Sequence, residues 1–394
     1  MLKSTHSRRQ FLKQSSCITA GTLLLPSFLQ AGLAPMTQDT RLVIVQLSGG
    51  NDGLNTIIPY QNTDLLRLRP NLLSSDRRLL KINDELAFNA GFSGFRDLYN
   101  QGDVCILNSV GYPNPNRSHF RSMDIWQSAS PSDEYLSTGW IGRYLDQECG
   151  SEANIGAIEM SDVLSLALKG QKEKGTPLTN VGQFYQATKQ VELDPTPHVH
   201  SPTADFLYKT AANTQNSAQY LYEKSKIYRS KHNYPNHKFG SDMKEISEMI
   251  SSGVDAPIYY ASLSGFDTHN NQLGRQERLL QMYSETMRIF ADDLKSSDRW
   301  KNTLVLTFSE FGRRVTQNGS QGTDHGKANN LFLMGGGLKK QGLYNPLPNI
   351  NQLDQGDLKH EIDFKQVYST VLNDWLKTDA RAIIKGDFKS LNFI

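Results

Sequence analysis

Cysteine is scarce in this chain of 394 residues, which holds three: Cys17, Cys105 and Cys149. So few thiols exclude a disulfide-built scaffold and give thiolates no part in a metal site. Cys105 sits in a Val-Cys-Ile-Leu run and reads as a packed strand residue rather than as half of a Cys105–Cys149 bridge. An excess of charge of one sign is missing too, with 42 basic residues against 40 acidic. Without a basic stripe, nucleic acid is excluded as a partner. No apolar run reaches the roughly 20 residues that a membrane helix needs. Internal repeats and long low-complexity linkers are absent.

What is present starts near the N-terminus. The run Ser7-Arg8-Arg9-Gln10-Phe11-Leu12-Lys13 precedes a mostly apolar stretch, broken by Gly21, Pro26 and Gln30, that ends in small residues near Gly32-Leu33-Ala34. This is the pattern of a twin-arginine export signal over residues 1–34. It predicts the twin-arginine translocation machinery as a partner and the periplasm or cell surface of a bacterium as the destination. The mature chain is then expected to carry no integral membrane span. Lys3, Arg8, Arg9 and Lys13 leave with the signal and no acid does, so the remainder is nearly neutral and slightly acidic. Cys17 follows Gln14-Ser15-Ser16, which lacks the apolar and small residues of a lipid-attachment site.

Residues 35–394 read as one large α/β domain. Apolar runs at Leu42 to Leu47, Val104 to Leu107, Ile258 to Leu263, Leu304 to Phe308 and Leu331 to Met334 are short, partly β-branched and bounded by Gly, Ser or Asn. They predict buried strands. Between them run helical faces such as Tyr283, Met287, Phe290 and Leu294, and Phe364, Val367, Val371 and Trp375. Alternation of this kind predicts a largely parallel sheet with helices on both faces. Residues 170–253, with polar loops and a Tyr-rich helix, read as an inserted helical cap.

Ligands of such sheets bind beyond the carboxyl ends of the strands, and the capable residues gather there. Ser-Gly-Gly-Asn-Asp-Gly-Leu-Asn with Asp52 follows the first run, and a loop with Arg117, Ser118 and His119 follows the second. Asp267 and His269 follow the third, Glu310 and Arg313 the fourth, and Asp324-His325 precedes the fifth. Imidazoles and carboxylates hold Zn, Mn, Mg or Ca at open positions, so Asp52, Asp267, His269, Glu310, Asp324 and His325 are the candidate ligands of a divalent metal. Ser118 is the candidate nucleophile, with Ser48 and Thr56 as other hydroxyls at this edge. His119 is expected to orient the leaving group or to add a ligand, and Arg313 or Arg117 to clamp anionic oxygens. Structural alternatives stand beside these: a turn for Asp52, a helix cap for Ser118, a helix-start acid for Glu310, a salt bridge for Arg313. His198 and His200 fall in a proline-containing loop, and Gly335-Gly336-Gly337 reads as a turn.

In order, these motifs resemble the alkaline phosphatase superfamily, and SGGNDGLN, PNRSHF, GFDTH, SEFGRR and GTDHG together resemble the exported family known as domain of unknown function 1501. The resemblance implies an alkaline phosphatase-like fold. By the superfamily's pattern, Asp52 would be the first metal acid, Ser118 the nucleophile, Asp267 and His269 a ligand pair, Glu310 the next acid and His325 the last histidine. Two departures stand out: Ser309-Glu310 replaces an adjacent Asp-His pair, and Asp267 and His269 are unusually close. A single metal or an altered pair is compatible with both. The implied activity is hydrolysis of a phosphate or sulfate ester, with an anionic ester or a sulfated or phosphorylated glycan as substrate. A metal-binding envelope protein without turnover, holding a glycan or protein partner, is the alternative.

Overall fold

The computed structural model describes residues 40–73, 79–148, 155–191 and 202–394. The export segment, Cys17, Cys149, His198 and His200 lie outside the described residues. In chain order the strands are β1 Arg41–Ser48, β2 Ile57–Ile58, β3 Leu80–Lys81, β4 Ala87–Phe88, β5 Val104–Gly111, β6 Ala157–Met160, β7 Thr176–Leu178, β8 Ile258–Ser264, β9 Thr303–Phe308, β10 Asn329–Gly335, β11 Gly342–Leu343 and β12 Ile362–Asp363. Among the described residues, nine strands form one sheet in the order β11-β5-β10-β9-β1-β8-β6-β7, with β12 also paired to β5. The remaining three form a small antiparallel sheet.

All five apolar runs lie in the large sheet. β1 sits inside it, parallel to β8 on one side and to β9 on the other. Its side chains alternate between two cores: Val43, Val45 and Leu47 enter one, and Leu42 and Ile44 the other. This is why its sequence is apolar without a break. The first core is closed by the helices Ser93–Asn100, Lys238–Ser251 and Gln272–Ser296 through Phe95, Met243, Tyr283, Met287 and Phe290. Across the sheet, His119–Ser128, Trp140–Glu148 and Phe364–Thr370 contribute Ile125, Trp126, Trp140, Val367 and Tyr368.

Among the described strands of the large sheet, only β10 runs against the rest, antiparallel to both β9 and β5. A parallel neighbour would need a long crossover connection, whereas an antiparallel one returns directly. Residues 309–328 therefore stay at one edge of the sheet, and the segment before β10 meets the segments that follow β1, β8 and β9. Within 170–253, β7 extends the large sheet beside β6. The helix Lys238–Ser251 buries Phe239, Met243, Ile246 and Ile250 in the first core, while Val181–Lys189 packs on Pro202–Lys224. Cys105 is buried and free. None of the described helices is long and apolar enough to cross a membrane.

Candidate metal centre

The loop after β1 is held against the loop after β8. Backbone N–H groups of Gly265 and Phe266 both donate to Ser48 O, at 3.2 and 3.1 Å. Gly49 has φ +118°, and a Cβ on it would stand 2.4 Å from the Asp267 nitrogen, so neither the conformation nor the space admits a side chain. The freed Gly49 N–H donates to Glu310 Oε1 at 2.8 Å. Ser309 fixes the third loop, donating to Leu47 O at 2.6 Å and accepting from Asn51 N at 2.9 Å.

Asp267 stands at the centre of the resulting cluster. Its Oδ1 lies 3.0 Å from His269 Nε2, 3.2 Å from His325 Nε2, 3.4 Å from His119 Nε2 and 2.9 Å from Arg313 Nη2. His269 Nε2 and His325 Nε2 are 2.9 Å apart. Among the described residues, His119, Asp267 and His325 present ligand atoms all within 4.8 Å of one another.

The far side of each ring decides its chemistry. His325 Nδ1 faces the Arg117 carbonyl at 2.8 Å, His119 Nδ1 faces Glu310 Oε1 at 2.8 Å, and His269 Nδ1 faces Asp324 Oδ1 at 3.4 Å. Each partner is an acceptor, which suits a proton on each Nδ1 and leaves each Nε2 turned inward as the atom able to bind a cation. Three imidazole Nε2 atoms and a carboxylate oxygen thus converge, and Arg313 donates to that oxygen. His119 Nε2 is buried and makes no hydrogen bond. Such a set suits a cation, and imidazoles oriented by acceptors behind them are the usual form of a metal site.

Burial pushes the Asp267 carboxyl up, but hydrogen bonds from Arg313 and His325 and the nearby positive charge hold it down at about 2. Burial lowers the pKa of His325, which favours the bare, neutral ring. The hydrogen bond to Glu310 raises that of His119, making it the more basic donor. Asn318, donating from Nδ2 at 3.1 Å, lowers that of Asp324.

Other sequence candidates are placed differently. Asp52 is buried away from the cluster, its carboxylate receiving Arg69 Nη1 at 3.0 and 2.8 Å and Gln272 Nε2 at 2.5 Å. Arg313 is not a free clamp: its guanidinium donates to the carbonyls of Gly49, Gly50, Phe266 and Thr323 besides Asp267. Arg117 is paired with buried Asp357. Glu310 and Asp324 stand behind histidines. Ser118 precedes the helix His119–Ser128, is exposed and makes no cap hydrogen bond, whereas Thr56 is buried and bonded to Asn51 and the Asp52 carbonyl. Arg69, Gln272 and Asn318 escaped the sequence reading; Arg69 is the C-cap of the helix Thr63–Leu68, outside its apolar pattern.

Solved structures match the chain at low identity. The lipoteichoic acid synthase LtaP of Listeria monocytogenes matches at 12% identity and TM-score 0.42, covering 90% of this chain and 76% of that one. The PsFucS1 sulfatase of Pseudoalteromonas sp. matches at 12% identity and TM-score 0.41, covering 93% and 76%. A protein in the alkaline phosphatase superfamily from Vibrio parahaemolyticus matches at 10% identity and TM-score 0.36, covering 76% and 60%. Likeness at this level says nothing of activity. No curated protein matches the chain. The family described as "Protein of unknown function (DUF1501)" matches residues 111–385, most of the chain and all of the cluster, and the protein belongs to that family.

Proposed function

We propose that this chain is an exported metal-dependent hydrolase of phosphate or sulfate esters. The observation that carries the reading is the convergence of three imidazole Nε2 atoms on Asp267 Oδ1, with that of His119 buried and without a hydrogen-bond partner. His119, His269, His325 and Asp267 fit a divalent ion, and their nitrogen-rich set suits Zn or Mn better than Mg or Ca. Such an ion supplies Lewis acidity toward an ester oxygen and neutralises its charge.

The chain's own residues account for the rest. Glu310 and Asp324 fix the rings of His119 and His269, and the Arg117 carbonyl fixes His325. Arg313 keeps Asp267 ionised and cross-links the loops. Ser118, free of a capping bond and adjacent to His119, is the proposed nucleophile. Its Oγ, giving its proton to solvent, would bond to phosphorus or sulfur as the ester bond to the leaving alcohol breaks, with solvent protonating the alcohol. Water would then hydrolyse the seryl ester. Export rests on the Arg8-Arg9 signal.

A reading without turnover, in which the protein binds metal and a glycan or protein partner, draws on Arg117 and Arg313. Both guanidinium groups are already committed within the chain. Turnover of aryl phosphate and aryl sulfate by mature protein separates the two. The hydrolase reading expects activity on one of them, abolished in Ser118→Ala and reduced at least about a hundredfold in His269→Ala, the upper end of what disturbing a ligand's partner costs. Retained metal with no turnover of either ester would establish the second reading.

A further inference from the structure

Beside the histidine cluster lies a cavity of about 590 Å³ that no residue of the cluster lines. Its size falls within the roughly 300–1,000 Å³ of small-molecule sites. Its walls adjoin the cluster along two segments of the chain. Lys327 is two residues beyond His325, and Pro115 two before Arg117, whose carbonyl holds the His325 ring. Two residues span at most about 7 Å of extended chain, so the cavity wall and the cluster are close on both segments.

The polar lining is of two kinds. Asn114 and Gln355 are exposed amides with left-handed backbones, φ +52° and +55°, and among the described residues neither side chain has a hydrogen-bond partner. Lys327, Lys359 and His360 supply the basic side. Lys327 donates to Asp354 Oδ2 at 2.6 Å, while Lys359 is exposed and forms no ion pair among the described residues. Asp357, the other nearby acid, is buried against Arg117. Free amides suit the hydroxyls of a sugar ring, and a free lysine beside an imidazole suits an anionic substituent on it.

We infer that this cavity is a subsite for a saccharide bearing sulfate or phosphate, with Lys359 and His360 reading a second anionic group while the first faces the histidine cluster. The inference rests on the hydrolase reading for the orientation of the ligand, but not for its binding.

Calorimetric titration of mature protein with dextran sulfate, phosphomannan and uncharged dextran tests it. The expected result is binding of one or both charged polymers and none of dextran, the preferred polymer telling sulfate from phosphate. Affinity should fall at least about fivefold in the Lys359→Ala/His360→Asn double variant and in Lys359→Glu, but not in a Lys231→Ala control, with metal content and aryl-ester turnover as in wild type. Lys359 is exposed, so its substitution leaves the core untouched and keeps the test independent of folding. Equal affinity in wild type and both variants, equal loss in the control, or no binding of either charged polymer would overturn the subsite. Loss of the cluster's metal in His325→Ala leaves this titration to stand on its own, so the two readings fail separately.

Discussion

Two loop aspartates at one sheet edge meet different fates. Asp267 keeps almost half its side chain exposed and faces imidazoles, whereas Asp52 is closed off with Arg69, the two side chains 1% and 0% exposed. A buried pair of this kind holds two segments in register at the expense of desolvation, and it punishes removal of one partner. Arg69→Met should therefore destabilise the protein by about 3–5 kcal/mol, read from urea unfolding midpoints, because it strands the Asp52 charge. Asp52→Asn should leave metal content as in wild type; a loss of metal there would restore Asp52 to the ligands. Sequence could show that both aspartates lie in glycine-led loops after strands. It could not show which one meets an arginine, since Arg67 and Arg69 differ by two positions, yet Arg67 is exposed beside Asp64 and Arg69 is buried. His119 was legible only as one of two neighbours at a helix start, and the acceptor behind its ring, Glu310, is 191 residues away.

At the level of elements, the helix Gln272–Ser296 links both ends of the molecule's central layer. Gln272 and Gln276, one turn apart, hold Asp52 and Asn51, and at the other end buried Asp293 accepts from Tyr228 Oη at 2.6 Å, Tyr234 Oη at 3.0 Å and Ser247 Oγ at 2.6 Å. Burial pushes the Asp293 carboxyl up, but these hydroxyls more than offset it and its pKa is lowered. A lowered pKa means stability present above the unfolded carboxylate value, about 3.9, and lost as pH falls through the folded value. Asp293→Asn should cost about 1.5–3 kcal/mol near pH 7, and the gap from wild type should narrow as pH drops below about 4. A gap that stayed constant to acid pH would remove the carboxylate from this role. Strands and helices with clear apolar periods were readable, and the Tyr283 to Leu294 face is wholly buried. β6, β7, β11 and β12 were not, because pairings of two to four residues carry no period. Nor does a burial pattern state direction, so the reversal of β10 emerged only from its partners.

For the whole molecule, that reversal brings the site together. The chain leaves β9, passes Glu310 and Arg313, turns, and returns past Asp324 and His325 into β10 without leaving the edge where β1 and β8 also end. Arg313 and His325 face each other across this return as an isolated antiparallel bridge. The clustering of capable residues at one edge was visible in sequence because strand ends and loop chemistry are both local. Partition into ligands, supports and structural ion pairs was hidden, because it depends on contacts between loops hundreds of residues apart. The most direct measurement of the central claim is elemental analysis of purified mature protein beside His119→Ala and His325→Ala. The expected result is about one equivalent of divalent metal per chain, as for a single site of this kind, lost in both variants while the far-ultraviolet circular dichroism stays that of the wild type. A metal-free wild type after reconstitution with Zn or Mn, or equal metal in all three proteins, would contradict the account.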